Sequence, residues 1–178
     1  MANDSGDGRA LHPESASKLL AGRVQRRGAV GFPFPPVSDE RVLPSLDALV
    51  RSLGVAVNRI LIATLDGELA GWLLLAGNSN ELTAHWAQVL RVQTALDFRN
   101  CGVGRALMKE VARSAAEDLA LEHLRLEVRA GMVLEGFYQL CGREIGRWPE
   151  ALRLPGGDRD EVLMALALMR NAGPVGAR

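Results

Sequence analysis

Lysine is almost missing from this 178-residue chain: only Lys18 and Lys109 occur, so nearly all the basic charge is arginine. Cysteine is as scarce. Cys101 and Cys141 share no metal or redox spacing, which excludes a disulfide-built secreted scaffold and reads as a cytoplasmic chain. His12, His85 and His123 are scattered, without i,i+4 or cysteine neighbours, so no metal is expected. Charge of one sign is also lacking. The formal net charge is +0 and the pI about 6.8, so no global field draws nucleic acid or an anionic membrane surface. No apolar run reaches the ~20 residues of a membrane span. Met1 to Gly8 is polar and acidic, the opposite of a secretory signal.

What is present is ordinary for one soluble domain with a proper core: 48% hydrophobic, 24% charged, mean hydropathy +0.04. Residues 1–8 are expected to be a disordered tail, 9–170 a single domain and 171–178 a flexible tail. Pro13-Glu14-Ser15 opens a short helix to about Val24, and the proline-rich stretch Gly28 to Val37 is an extended loop. A second helix runs from about Leu43 to Leu53 and ends at Gly54. The period then changes. Arg59 to Thr64 and Leu69 to Ala76 read as strands joined at an Asp66-Gly67 hairpin turn, and His85 to Thr94 as a third strand. A helix over Val103 to Leu119 carries Val103, Leu107, Val111, Ala115 and Leu119 on one stripe. Leu124, Leu126 and Val128 alternate in a fourth strand. A short helix from about Met132 to Leu140 precedes Gly142, expected as a left-handed cap. Arg143 to Trp148 and Val162 to Met169 are the last strands, with a turn at Pro155 to Asp158. This order predicts an α/β domain with a mixed sheet.

The stretch from Asp97 to Met108 concentrates the chemistry. A strand leads through Arg99, Gly102 and Gly104 directly into an amphipathic helix. Such a junction aims several backbone N–H groups, backed by the positive end of the helix dipole, at one anion. A Walker A loop is excluded, because Arg105-Ala106 follows Gly104 where lysine and a hydroxyl are needed. A dinucleotide fingerprint fails as well: Leu107 replaces its third glycine, and Arg129 stands where an acid should bind ribose.

Arg99-x-x-Gly102-x-Gly104 resembles the pyrophosphate loop of the GNAT superfamily of N-acetyltransferases. The segment Phe137-Tyr138-Gln139-Leu140-Cys141-Gly142 and the run from Glu144 to Pro149 are similar to later segments of that family. The resemblance covers roughly residues 42–169 and is strongest over 87–149. It implies a GNAT-type fold, a mixed and strongly twisted central sheet flanked by helices. It also implies an N-acetyltransferase that moves acetyl from acetyl-coenzyme A to an amine-bearing acceptor by direct transfer in a ternary complex. By that resemblance the N–H groups of Arg99, Asn100, Cys101, Gly102, Val103 and Gly104, with Arg105, hold the pyrophosphate. The pantetheine arm runs along Val92, Gln93 and Thr94, and an N–H at Val92 or Gln93 polarises the thioester carbonyl. Tyr138 is the general acid for the leaving thiolate, since a phenol of pKa near ~10 gives up its proton downhill.

Several positions depart from the family pattern. Gln88 occupies the position where many relatives carry a glutamate base; an amide can orient a water but takes no proton. Glu81, Glu135 or a water chain remain open as the proton's route. Leu96, Asn100 and Met132 replace commoner family residues. Cys101 is expected as a small half-buried filler, His85 as structural, and Arg91 and Arg129 as solvated or paired charges. Trp72, Trp86 and Trp148 read as core or interface, with Trp148-Pro149 where relatives line the acceptor pocket. The apolar final strand and family habit point to a homodimer as one assembly; nucleic acid and membrane are not expected partners. The alternative reading is a non-catalytic module of the same fold that binds acyl-coenzyme A as a sensor or partner.

Overall fold

A computed structural model describes residues 44, 47–48, 51, 53, 57–131, 137–138, 142–154 and 156–169. The helix expected over Pro13 to Val24, the proline-rich loop and both tails lie outside the described residues, as does most of the helices expected near 43–53 and 132–140.

β1 (Arg59–Leu65) and β2 (Glu68–Gly77) form an antiparallel hairpin. Its turn has φ of 52° at Asp66 and 77° at Gly67, the double left-handed conformation that matches strand twist in a two-residue loop. β3 (Trp86–Thr94) pairs antiparallel with β2, and a 3₁₀ turn over Leu96–Phe98 follows it. The long helix α1 (Val103–Glu117) then returns the chain to β4 (His123–Arg129), which lies parallel to β3. β5 (Arg143–Leu152) and β6 (Arg159–Ala167) close a six-stranded mixed sheet of order β1-β2-β3-β4-β6-β5. The α/β class and the mixed sheet are as the alternating patterns require.

α1 buries Val103, Leu107, Met108, Val111 and Ala115, the stripe read from the sequence, against one face of the sheet. Leu73, Leu75, Ala87, Val89, Leu124, Leu126, Val128, Val162 and Met164 complete that core. Close approach of helix and sheet depends on Gly71 of β2. A Cβ there would lie 2.6 Å from the Gln93 carbonyl oxygen and 2.8 Å from Val103 Cγ1.

Several local expectations are corrected. α1 ends at Glu117 rather than Leu119, and Asp118 donates its N–H to the Ser114 carbonyl at 3.0 Å. Gly142 is not left-handed; it is glycine because a Cβ would lie 2.7 Å from the Ala165 carbonyl oxygen. β5 runs on through Pro149 to Leu152, which an outer strand of the described sheet tolerates because it lacks a partner on one side. The 3₁₀ turns at Glu81–Thr83 and Leu96–Phe98 carry no periodicity and went unread.

Candidate active site

The junction between β3 and α1 is built by backbone conformation rather than side-chain caps. Asn100 has φ of 63° and Gly102 a φ of 81° with ψ 0°, and no side chain caps the helix. A Cβ at Gly102 would meet nothing within 4 Å, so glycine is required there by the left-handed backbone and not by space. The Arg99 N–H donates to the Leu96 carbonyl at 3.2 Å and the Phe98 N–H to Ala95 at 3.0 Å. That takes Arg99 out of the set of free amides expected from the sequence. The next internal pair begins at Ala106, whose N–H reaches the Gly102 carbonyl at 2.9 Å. Among the described residues no backbone hydrogen bond engages the N–H groups from Asn100 to Arg105. These are the orphan donors of a helix start, directed out of its positive end.

The sheet itself opens beside this loop. β3 and β4 are in register only at Trp86 with His123, Ala87 with Leu124 and Gln88 with Arg125. Beyond them β4 keeps β6 as its partner as far as Arg129, while β2 is the strand partner of β3 among the described residues. A wedge-shaped gap therefore separates the two strands towards the helix start, with the β3 edge past Gln88 facing it. A bulge bends β3 within that stretch. Leu74 and Trp72 of β2 face Leu90 and Gln93, so β3 spends an extra residue there, and Arg91 adopts φ 53°. Val92, Gln93 and Thr94 thus lie between the bulge and the loop. A small hollow lined by Leu69, Gly71, Trp72, Gln93, Thr94 and Ala95 marks this end of the strands.

Three predicted segments meet at Gly104. A Cβ there would stand 3.4 Å from Phe137 Cζ and 3.8 Å from Thr94 Oγ1, so strand end, helix start and the Phe137–Tyr138 segment are contiguous. Tyr138 is buried in the core cluster with its ring centroid 5.0 Å from that of Phe137 at 71°. Its carbonyl accepts the Gly142 N–H at 3.0 Å.

Other expectations separate. Cys101 is exposed, not half-buried; its side chain turns outward with Sγ 3.6 Å from the Arg99 carbonyl. Arg91, at the bulge, is half-buried, and desolvation lowers its guanidinium below the usual range. Glu81 lies before β3, at the end of the strand remote from the loop. Trp148 is 65% exposed and therefore not core. Gln88 lies on the sheet face opposite α1, beside Arg125, whose guanidinium stacks 4.0 Å from the Trp86 ring centroid. Glu127 and Glu161 lie on that same face and were not singled out from the sequence, because nothing local ties β4 to β6. Desolvation and the Glu127 charge raise the Glu161 carboxyl above its ordinary range.

Residues 32–142 match the acetyltransferase (GNAT) family. Among solved structures, the ribosomal-protein-S18-alanine N-acetyltransferase of Escherichia coli is 20% identical, with TM-score 0.65 over 91% of this chain and 94% of that one. A GNAT-family acetyltransferase of Streptococcus pneumoniae is 18% identical, with TM-score 0.70 over 90% and 98%. A spermidine N-acetyltransferase chimera from Vibrio cholerae and hSSAT is 17% identical, with TM-score 0.71 over 90% and 93%. No curated protein sequence matches the chain. These likenesses bear on the fold, while the family match spans more than half of the chain: this protein belongs to the GNAT family of acetyltransferases.

Proposed function

We propose that this protein transfers the acetyl group of acetyl-coenzyme A to a primary amine, on a small molecule or the end of a peptide, by direct attack in a ternary complex. One observation carries the reading: the gap between β3 and β4 leads to the free amides of Asn100 to Arg105. A diphosphate fits such a nest, and an amide-rich arm fits the β3 edge beside it. The cosubstrate supplies an activated acetyl thioester. The chain's residues supply position and proton management. The amides from Asn100 to Arg105 hold the anion and, with Arg105, orient it. The β3 edge at Val92, Gln93 and Thr94 aligns the arm, and an N–H at Val92 or Gln93 polarises the carbonyl under attack. The Tyr138 phenol returns a proton to the departing sulfur. Trp148, in register with Glu161 on the face away from α1, offers an apolar wall for the acceptor. Holding both reactants in one cleft converts a bimolecular encounter into an effectively unimolecular step.

The relatives named above act on a ribosomal-protein alanine in one case and spermidine in another, so both an amino-terminal peptide and a polyamine serve as first acceptors to try. Coenzyme A at 100 times its Kd should stabilise the native protein by about 2.7 kcal/mol, and ATP or NAD should not. Thiol release from acetyl-coenzyme A on adding either amine separates the enzyme from a module that only binds acyl-coenzyme A. Absence of stabilisation by coenzyme A would remove the proposal.

A further inference from the structure

The sheet face opposite α1 carries its charges in two separated groups. Arg125 is the partner of Gln88 where β3 and β4 part. On its other side Arg125 pairs with Ala165 of β6, and Ala165 pairs in turn with Arg143 of β5. Direct partners point to one face, so the two arginines stand on either side of an alanine. Two strand spacings put their Cα positions about 10 Å apart. Both side chains are exposed, and among the described residues neither enters a salt bridge or a side-chain hydrogen bond. The Arg125 guanidinium lies over the Trp86 ring, 4.0 Å from its centroid, which holds the side chain in place. The next row away from the loop is Trp86, His123 and Ala167, and it too contains no acid. Past the parting point the sign changes. Glu127 follows Arg125 by two residues on the same face, and Glu161 lies one row later, opposite Arg129. Counted from the pair of Gln88 and Arg125, that later row is level with Val92.

Resting on the transferase reading, we propose that the acceptor is an extended peptide, acetylated at its amino end, whose acidic side chain four or five residues on is held by Arg125 and Arg143. Charge complementarity selects this occupant. A peptide amine is cationic until it reacts, and it enters at the end of the face that holds two glutamates and one arginine. The opposite end holds two arginines and no acid, so it suits an anion joined to that amine at a fixed distance. From Val92 back to Gln88 β3 covers roughly 13 Å at about 3.3 Å per residue, and an extended peptide spans that with about four residues of its own. Stacking on Trp86 uses the flat side of the Arg125 guanidinium and leaves its N–H edge for a carboxylate, which accepts such bonds in pairs. Ala165 puts no polar or bulky group between the two arginines. Spermidine, cationic along its whole length, would meet them with like charge.

The test uses the full chain, acetyl-coenzyme A, and a set of alanine-ended peptides that differ only in where one aspartate replaces a serine, with spermidine beside them. Thiol release gives kcat/KM for each. Aspartate at the fourth or fifth residue should raise kcat/KM about tenfold or more over the all-serine peptide, chiefly through KM. Arg125→Gln with Arg143→Gln should abolish that advantage and leave thermal stabilisation by coenzyme A unchanged. Arg125→Glu with Arg143→Glu should reverse it, so that lysine at the same residue becomes the better acceptor. Equal rates for the aspartate and serine peptides overturn the inference and leave the transferase reading standing. So does a preference that the arginine variants do not move, or a protein that coenzyme A stabilises but that acetylates none of the peptides. A protein that coenzyme A does not stabilise and that releases no thiol with any amine ends both.

Discussion

Gly104 and Gly102 stand two residues apart in one loop, yet they are glycine for different reasons. At Gly102 the backbone is left-handed with open space around the missing Cβ. At Gly104 the conformation is helical, and what matters is room, since Phe137 and Thr94 close in on the same small volume. Gly104→Val should therefore leave a folded domain, with ordinary contact at Cβ, while its methyl groups crowd the anion path. Coenzyme A binding by calorimetry should fall below detection while the circular dichroism spectrum is kept. Unchanged affinity would move the phosphate site elsewhere. Tyr138 allows the converse separation. Tyr138→Phe keeps the buried ring and its contact with Phe137 but removes the hydroxyl proton. Turnover should drop by roughly 10²-fold or more with coenzyme A affinity held within a few-fold. Full turnover would take Tyr138 out of the mechanism.

Among the elements, α1 and β2 are held together by a contact no propensity scale contains. The helix stripe of Val103, Leu107, Met108 and Val111 could be read from spacing alone, but the surface receiving it could not. Gly71 sits in a strand that is apolar on either side of it from Leu69 to Ala76 and looks locally like a weak point. In the fold it is where Val103 and Leu107 approach the sheet backbone. Gly71→Ala should cost about 1–3 kcal/mol, the usual range for overpacking, seen as a lower urea midpoint with an unchanged slope. Because the proposed anion loop leads into the same helix, coenzyme A affinity should weaken with it. A neutral or stabilising Gly71→Ala would mean that α1 has room to shift. The β3 bulge belongs to this scale as well. Its consequence, an extra residue with Arg91 at φ 53°, depends on pairing with β2 and leaves no mark in the alternation of His85 to Thr94.

Across the whole molecule, charged groups differ in how far the fold takes them out of water. On the solvent side of α1, Arg113 bridges Glu110 at 2.7 Å and Glu117 at 3.0 Å, an exposed network that salt screens. Glu161 differs: burial and Glu127 raise its folded carboxyl above the unfolded value. A group raised on folding contributes stability below its unfolded pKa and loses that contribution as pH climbs through the folded one. At neutral pH an ionised Glu161 therefore works against the fold. Glu161→Gln should raise Tm at pH 7, and the gain should shrink towards nothing below about pH 4, the unfolded range for glutamate. A gain that is the same at both pH values would show that the charge is not the cause.

The elements with local signatures were legible in the amino acids alone. Asp66-Gly67 demands a tight hairpin, the four-residue stripe from Val103 demands an amphipathic helix, and Leu124, Leu126 and Val128 demand a half-buried strand, because dihedral preference and side-chain period act between near neighbours. The glycine pair after Arg99 likewise demands a turn into a helix, with Gly102 left-handed just before the helix start. Only tertiary structure decided where β3 and β4 part, that Gly71 and Gly142 must be small, that Cys101 faces outward, and that Glu127 and Glu161 share a face. Each of those depends on register between strands distant along the chain, and register is set by how the whole sheet assembles against α1, not by the residues of any one strand.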